Sequence, residues 1–405
     1  MKIWRMDWLL IGMVMMMVIS LSPSAANAQA LSFTTDTSVT YQFGEQIEFE
    51  LSVESMQGVE AIWLFVQPVG MGIANFSVPL EETGLHVIAI KPEQLLLRPY
   101  SDVDYWFQIE FADEPSTKTD TNRFRYLDNR YEWRRIQSNQ FELYWLSGND
   151  DFGLAALNTA QQAWLQLAEQ FSGEPNTPVM IYLYADAEAL QSALDITNLD
   201  WVAGHADPQI NAMLLSIAPS PDQRLEMQRQ IPHELAHLFV FAQTGQGYRY
   251  QPVWLLEGLA TGAELAENEE YGTALARAAD RKEFIAMADL CQSFPQQSDQ
   301  VYLAYAQSAS FVDYLQEEYG HAQLRGLMEK YAEGVSCEAG FLQTYGTSLS
   351  KAQAQWQKDT FRTTVLSLFA VNMGPYAILL MILTGLPWLA GRLQKPREEG
   401  RSDGG

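Results

Sequence analysis

Period-two alternation governs the first part of the chain. In Ile47-Glu48-Phe49-Glu50-Leu51-Ser52-Val53 apolar and polar side chains exchange at every step, the pattern of a strand with one buried face. Segments 61–67, 76–79, 85–90, 103–111 and 123–127 are further strand candidates, and Gly70-Met71-Gly72 and Pro115-Ser116 supply turns. Short strands at this spacing predict an immunoglobulin-like or fibronectin-like β-sandwich over residues 31–128. No cluster of chemically versatile side chains falls in it, so it reads as an accessory or spacer domain.

The period changes after Tyr131. Segments 141–145 and 179–184 are strand-like, 154–171 repeats apolar residues at helical spacing, and 186–194 predicts a short helix. An extended stretch at 209–217 leads into a long helical segment, 222–243, and from 257 to 342 the pattern is mostly helical. A mixed β layer followed by a helical half predicts an α+β domain over 131–360. Its acidic cluster, Glu264, Glu267, Glu269 and Glu270, reads as a solvated helix face.

Both ends carry addressing signals. Lys2 and Arg5 precede an apolar run, and Ala26-Asn27-Ala28 resembles a cleavage site, so 1–28 is expected to be a secretory signal peptide. The uncharged apolar run 365–390 is long enough for a transmembrane helix across a ~30 Å hydrocarbon core. Arg392, Lys395, Arg397 and Arg401 follow it, which predicts a cytoplasmic tail at 391–405 and an extracytoplasmic body held to the cell membrane by one span. Cys291 and Cys337, the two cysteines of the chain, fall in the exported part and are expected to form a disulfide. With 47% hydrophobic and 12% aromatic residues the chain can build packed cores. A net charge of −25 excludes nucleic acid as a partner and names no substrate.

The chemistry gathers at His233-Glu234-Leu235-Ala236-His237. Four residues turn a helix by about 400°, so both imidazoles leave one face and can share a metal. Glu234 sits about 100° round, where it reaches a water on that metal without ligating it. Trp254-Leu255-Leu256-Glu257-Gly258-Leu259-Ala260 follows, with Glu257 twenty positions beyond His237. A carboxylate on the next helix completes a two-histidine, one-glutamate zinc set with a position left for water.

In these two motifs the chain resembles the gluzincin metallopeptidases, the superfamily of thermolysin and the aminopeptidase-N-like enzymes, and in particular the bacterial peptidases described as peptidase MA-like. The resemblance covers roughly 131–358. It implies one Zn²⁺ per chain on His233, His237 and Glu257, a peptide or protein substrate, and attack by a zinc-bound water with Glu234 as general base. A tyrosine opening a helix would stabilise the oxyanion. Tyr305, in Tyr305-Ala306-Gln307-Ser308, holds the equivalent place although Ser308 stands where the family has glycine, and Tyr302 is the near alternative. Substrate binding would use an edge strand before the metal helix, for which 210–215 fits, with Asn211 and Ala212 at the recognition step and His205 lining the cleft. The Met-Glu-Asn ending that aminopeptidases use to hold a free amine is missing, which favours an endopeptidase. Pro232 is expected to kink the metal helix. A retired peptidase fold serving as a binding scaffold and a cell-wall peptide hydrolase are the alternatives.

Overall fold

A computed structural model describes residues 35–194, 204–295 and 297–361, together with Tyr376. The expected signal peptide, membrane span and tail lie outside the described residues, Tyr376 of the span apart. Among those described, no helix is long and apolar enough to cross a membrane.

The strands come first: β1 (Thr35–Gln42), β2 (Gln46–Val53), β3 (Val59–Pro68), β4 (Ala74–Val78), β5 (Leu85–Ile90), β6 (Asp102–Phe111), β7 (Thr117–Lys118) and β8 (Asn122–Arg125). One antiparallel sheet runs β1-β2-β5; the other runs β4-β3-β6-β7, with β8 also on β6. The alternation does what it predicts. Phe49 and Leu51 of β2 meet Tyr105 and Phe107 of β6 in one fully enclosed core, while their neighbours along each strand face outward.

The second body begins with β9 (Arg134–Gln137), β10 (Phe141–Trp145), α1 (Asp150–Gln170), β11 (Val179–Tyr184), α2 (Ala187–Leu194), β12 (Gly204–Asp207) and β13 (Ala212–Ser216). These strands form one sheet in the order β12-β13-β11-β10-β9. β10, β11 and β13 are parallel, and the outer strands β9 and β12 run antiparallel to them. β11, Val-Met-Ile-Tyr-Leu-Tyr, is buried at all six positions because both faces of the sheet are covered. Val179, Ile181 and Leu183 pack with α1 and the metal helix, α3 (Gln223–Thr244). Met180, Tyr182 and Tyr184 face the other way, into the same core as the sandwich.

The sandwich is therefore no spacer. It is docked on the back of the second sheet, and a polar network pins the contact. The hydroxyls of Tyr100 and Tyr184 are hydrogen-bonded, and Tyr184 donates to Asp128 Oδ2 at 3.0 Å. Asp128, fully buried, is paired with Arg130 at 2.7 Å.

Another expectation fails here. The single stretch 209–217 is in fact a turn and β13, and β13 is an interior strand flanked by β11 and β12. Asn211 sits in that turn at φ 56°, a left-handed conformation asparagine tolerates, with its amide donating to the carbonyls of Asn176 and Pro178. Ala212 is fully buried and so cannot meet a peptide substrate, while the Asn211 side chain is engaged by these two carbonyls. Among the described residues the edge strands of this sheet are β12 and β9, and β12 is the one beside α3.

The helical half comprises α4 (Val253–Gly262), α5 (Glu269–Arg281), α6 (Ser298–Tyr319), α7 (His321–Ala332) and α8 (Cys337–Tyr345). α4 and α6 cross at Gly258, where a Cβ would stand 2.6 Å from the Ser308 carbonyl oxygen. That glycine is what lets the helix bearing Glu257 lie against the helix bearing Tyr305. Cys291 and Cys337 are joined by a disulfide with Cα atoms 6.1 Å apart, tying the segment before α6 to the start of α8. Replacing Cys337 by alanine is expected to lower stability by about 2–4 kcal/mol, read from urea unfolding. A loss below about 0.5 kcal/mol would mean that the cross-link is dispensable.

Candidate active site

α3 runs through Pro232 without a break. Proline lacks the N–H that would bond the carbonyl four residues earlier, which leaves the Gln228 oxygen free. Leu265 N–H, in the segment after α4, donates to that oxygen at 2.8 Å, and Arg229 donates to the Glu267 carbonyl at 2.6 Å. Pro232 thus marks an anchor point at which the 264–267 segment is drawn onto α3.

The histidines project from one face of α3, with ring centroids 5.3 Å apart. Glu257 from α4 closes the set. Its Oε2 lies 3.3 Å from His233 Nε2 and 3.9 Å from His237 Nε2, and the ligand atoms of all three residues lie within 4.8 Å of one another. Each ring is also held from behind. Glu264 Oε1 is 3.4 Å from His233 Nδ1, and the Tyr248 hydroxyl is 3.2 Å from His237 Nδ1. A carboxylate at Nδ1 fixes the proton there and leaves the Nε2 lone pair for a metal. Glu264, only 9% exposed at its side chain, is thus no member of a solvated helix face.

The electrostatics ask for a cation. Glu234, Glu257 and Glu264 surround two imidazoles in a buried pocket. Burial alone would lower His233, yet its bonds to Glu257 and Glu264 push it up to about 10. Burial takes His237 down to about 4. Glu257 is raised by burial but held below the usual carboxylate range by the two histidines. The donor types, their convergence and the excess of negative charge all fit a divalent metal.

Glu234, on the same helix, is 8% exposed, and its carboxylate faces the backbone of Ala206 on β12, which favours the charged form. Burial, with Glu257 adding to it, raises its pKa to about 7 against the opposing pull of His233. Gly204, two residues before Ala206, makes this possible: a Cβ there would come within 2.5 Å of Glu234 Oε1. Tyr305 faces the centre, its ring 6.0 Å from that of His233 and braced by Phe294 at 5.0 Å. It lies two turns inside α6 rather than at a helix start. Tyr302 is 47% exposed on the outer side, beside α5. His205 stands on β12, exposed towards the cleft, and partial desolvation there lowers its pKa.

A family model described as the Peptidase MA superfamily matches residues 159–361, half of the chain. The chain belongs to the Peptidase MA superfamily. The matched segment holds His233, Glu234, His237, Glu257, Glu264 and Tyr305, whereas the sandwich lies ahead of it. Among solved structures, an aminopeptidase N family protein from Idiomarina loihiensis is similar at 10% identity over 78% of this chain and 75% of that one, with a TM-score of 0.36. A β-1,3-glucan-binding carbohydrate-binding module of family 56 is 12% identical over 23% of this chain and 99% of its own, with a TM-score of 0.18. A polysaccharide deacetylase from Bacillus cereus is 9% identical over 39% and 55%, with a TM-score of 0.21. None of these scores is high enough to carry a fold or an activity across. No curated protein matches the sequence.

Within this Peptidase MA domain, sequence patterns miss Glu264, Tyr248 and Gly204. Pro232 is the one signal that could have found Glu264, because it implies an outside donor for the Gln228 carbonyl.

Proposed function

We propose that the protein is a zinc-dependent peptidase, acting as an endopeptidase outside the cytoplasm. The observation that carries the reading is the convergence of His233, His237 and Glu257 with Glu234 beside them and a free strand edge alongside. The exported location rests on the sequence segments at 1–28 and 365–390. The endopeptidase reading rests on the missing Met-Glu-Asn sequence.

Zinc held by the three ligands would polarise a substrate carbonyl and bring the pKa of a water towards ~7. Glu234 takes the proton of the attacking water on a carboxylate oxygen and delivers it to the departing amine. The Tyr305 hydroxyl donates to the carbonyl oxygen as it gains charge. Glu264 and Tyr248 keep both rings aimed. β12 receives an extended backbone along its open edge.

The test is incubation of the full-length protein with zinc and a diverse peptide pool, followed by mass spectrometry. Cleavage that chelation abolishes and zinc restores is expected; an intact pool under both conditions overturns the reading. Tyr305→Phe is expected to lower kcat by about 10²–10³-fold with KM and zinc content unchanged, because its bond strengthens only in the transition state. If Tyr305→Phe works normally and His205→Ala collapses, the oxyanion partner is the histidine. Gly204→Ala should displace the Glu234 carboxylate and lower kcat about 10²-fold without loss of zinc. Wild-type turnover in that variant would mean that the base has room to shift.

A further inference from the structure

A cavity of about 470 Å³ opens beside β12, and the sandwich and the peptidase domain line it together. Arg98 enters from the sandwich, His205 and Asp207 from β12, and Phe241, Tyr248 and Arg249 from the end of α3 and the turn after it. Tyr248 sets the cavity against the metal centre, since its hydroxyl is the partner of His237. We propose that this cavity is a specificity pocket that receives a carboxylate of the peptide substrate between Arg98 and Arg249. The proposal rests on the peptidase reading and names the substrate class of that site.

Strand geometry leads a substrate side chain there. The Ala206 backbone faces the Glu234 carboxylate, so the backbone groups of Ala206, and of Gly204 with the same parity, point away from β13 towards the outer edge of β12. A peptide paired with that edge presents alternate side chains to opposite faces of the sheet. On one face Ala206 packs into the core around the metal helix. His205 and Asp207 lie on the other, and the cavity wraps round the edge between the two faces, lined by His205 and Asp207 with Arg98 on one side and by Ala206, Phe241 and Tyr248 on the other.

Charge selects what fits. In a chain of net charge −25, the cavity sets two guanidinium groups against one carboxylate, Asp207. Arg98 is steadied by Gln209 Oε1 at 2.6 Å and Asp207 Oδ2 at 3.5 Å, yet its side chain remains 37% exposed. Arg249 is exposed, braced by the Tyr250 hydroxyl at 2.7 Å, and has no ion-pair partner among the described residues. Desolvation lowers the His205 pKa, which disfavours a further positive charge there. A guanidinium fork matches a carboxylate with paired hydrogen bonds, whereas an apolar or basic side chain would cover these groups without satisfying them. The carboxylate could belong to an aspartate or glutamate side chain or to the substrate's C-terminus.

The experiment uses the full-length, zinc-loaded protein and peptides differing at one position beside the cleaved bond, Glu, Gln or Lys, each made as a C-terminal acid and as an amide. Binding of labelled Glu and Gln peptides to Glu234→Gln is measured by anisotropy in parallel. We expect kcat/KM for a carboxylate-bearing peptide to exceed its neutral counterpart by about tenfold or more. Arg249→Glu should abolish that preference through KM while the Gln peptide changes by less than about twofold, and Arg98→Gln should do the same. A preference that survives amidation identifies a side chain, and one that amidation removes identifies the chain terminus. Equal cleavage and equal binding of Glu and Gln, and of acid and amide, overturn the proposal, as does a preference unaltered in both variants. If no peptide is cleaved, the peptidase reading fails, and the anisotropy comparison still decides the pocket.

Discussion

Glu234→Gln is expected to leave the protein folded and zinc-loaded and to lower kcat by about 10³–10⁴-fold. The side chain is buried beside the metal ligands but supplies none of the converging donors. Glutamine keeps its volume and retains an oxygen facing the Ala206 backbone, so nothing in the packing around Gly204 needs to move. What disappears is the capacity to hold a proton, in a group that burial has brought to about 7, the range where a base both accepts and releases near neutral pH. Zinc per chain by mass spectrometry and turnover of one cleaved peptide are the two measurements. Loss of zinc along with activity would reassign Glu234 as a ligand.

Glu257→Ala is expected to do the reverse, stripping the metal first. It removes one of three protein ligands and leaves His233 and His237 facing an open space. The loss of zinc affinity should exceed the ~10–100-fold that changes behind a ligand produce, so Glu264→Gln is the graded comparison. Titration with a zinc-buffering chelator should rank the proteins as wild type, Glu264→Gln, then Glu257→Ala, with activity following the same order. An unchanged zinc affinity in Glu257→Ala would dismantle the proposed ligand set.

The convergence of His233 and His237 on one helix face was legible because a four-residue spacing has one geometric consequence on a helix, and the strands with strict alternation were legible for the corresponding reason. β1, Thr-Asp-Thr-Ser-Val-Thr-Tyr-Gln, escaped because as a mostly polar outer strand it shows little contrast between its faces. The edge strand was misplaced by the turn at Pro208–Asn211, whose left-handed asparagine breaks the extended run without glycine to announce it. Glu264, announced only indirectly by Pro232, and Tyr248 and Gly204, announced by nothing, were missed for a different reason. Each matters through what another segment brings against it, and chain spacing carries no record of such meetings.

The buried back of the β9–β13 sheet has a consequence for how this chain can be divided. A cut near residue 130, where the alternation ends, looks like a clean domain boundary, yet it would leave Met180, Tyr182, Tyr184 and Leu214 facing water as one apolar wall. The same cut would part Asp128 from Tyr184 and remove Arg98 from the cleft. The peptidase half freed in this way should therefore aggregate, and grafting it behind a foreign sandwich should fail unless the graft carries the matching surface. Heredity has to pass the two halves on as a pair, so a change at their seam in one half constrains which changes the other can accept.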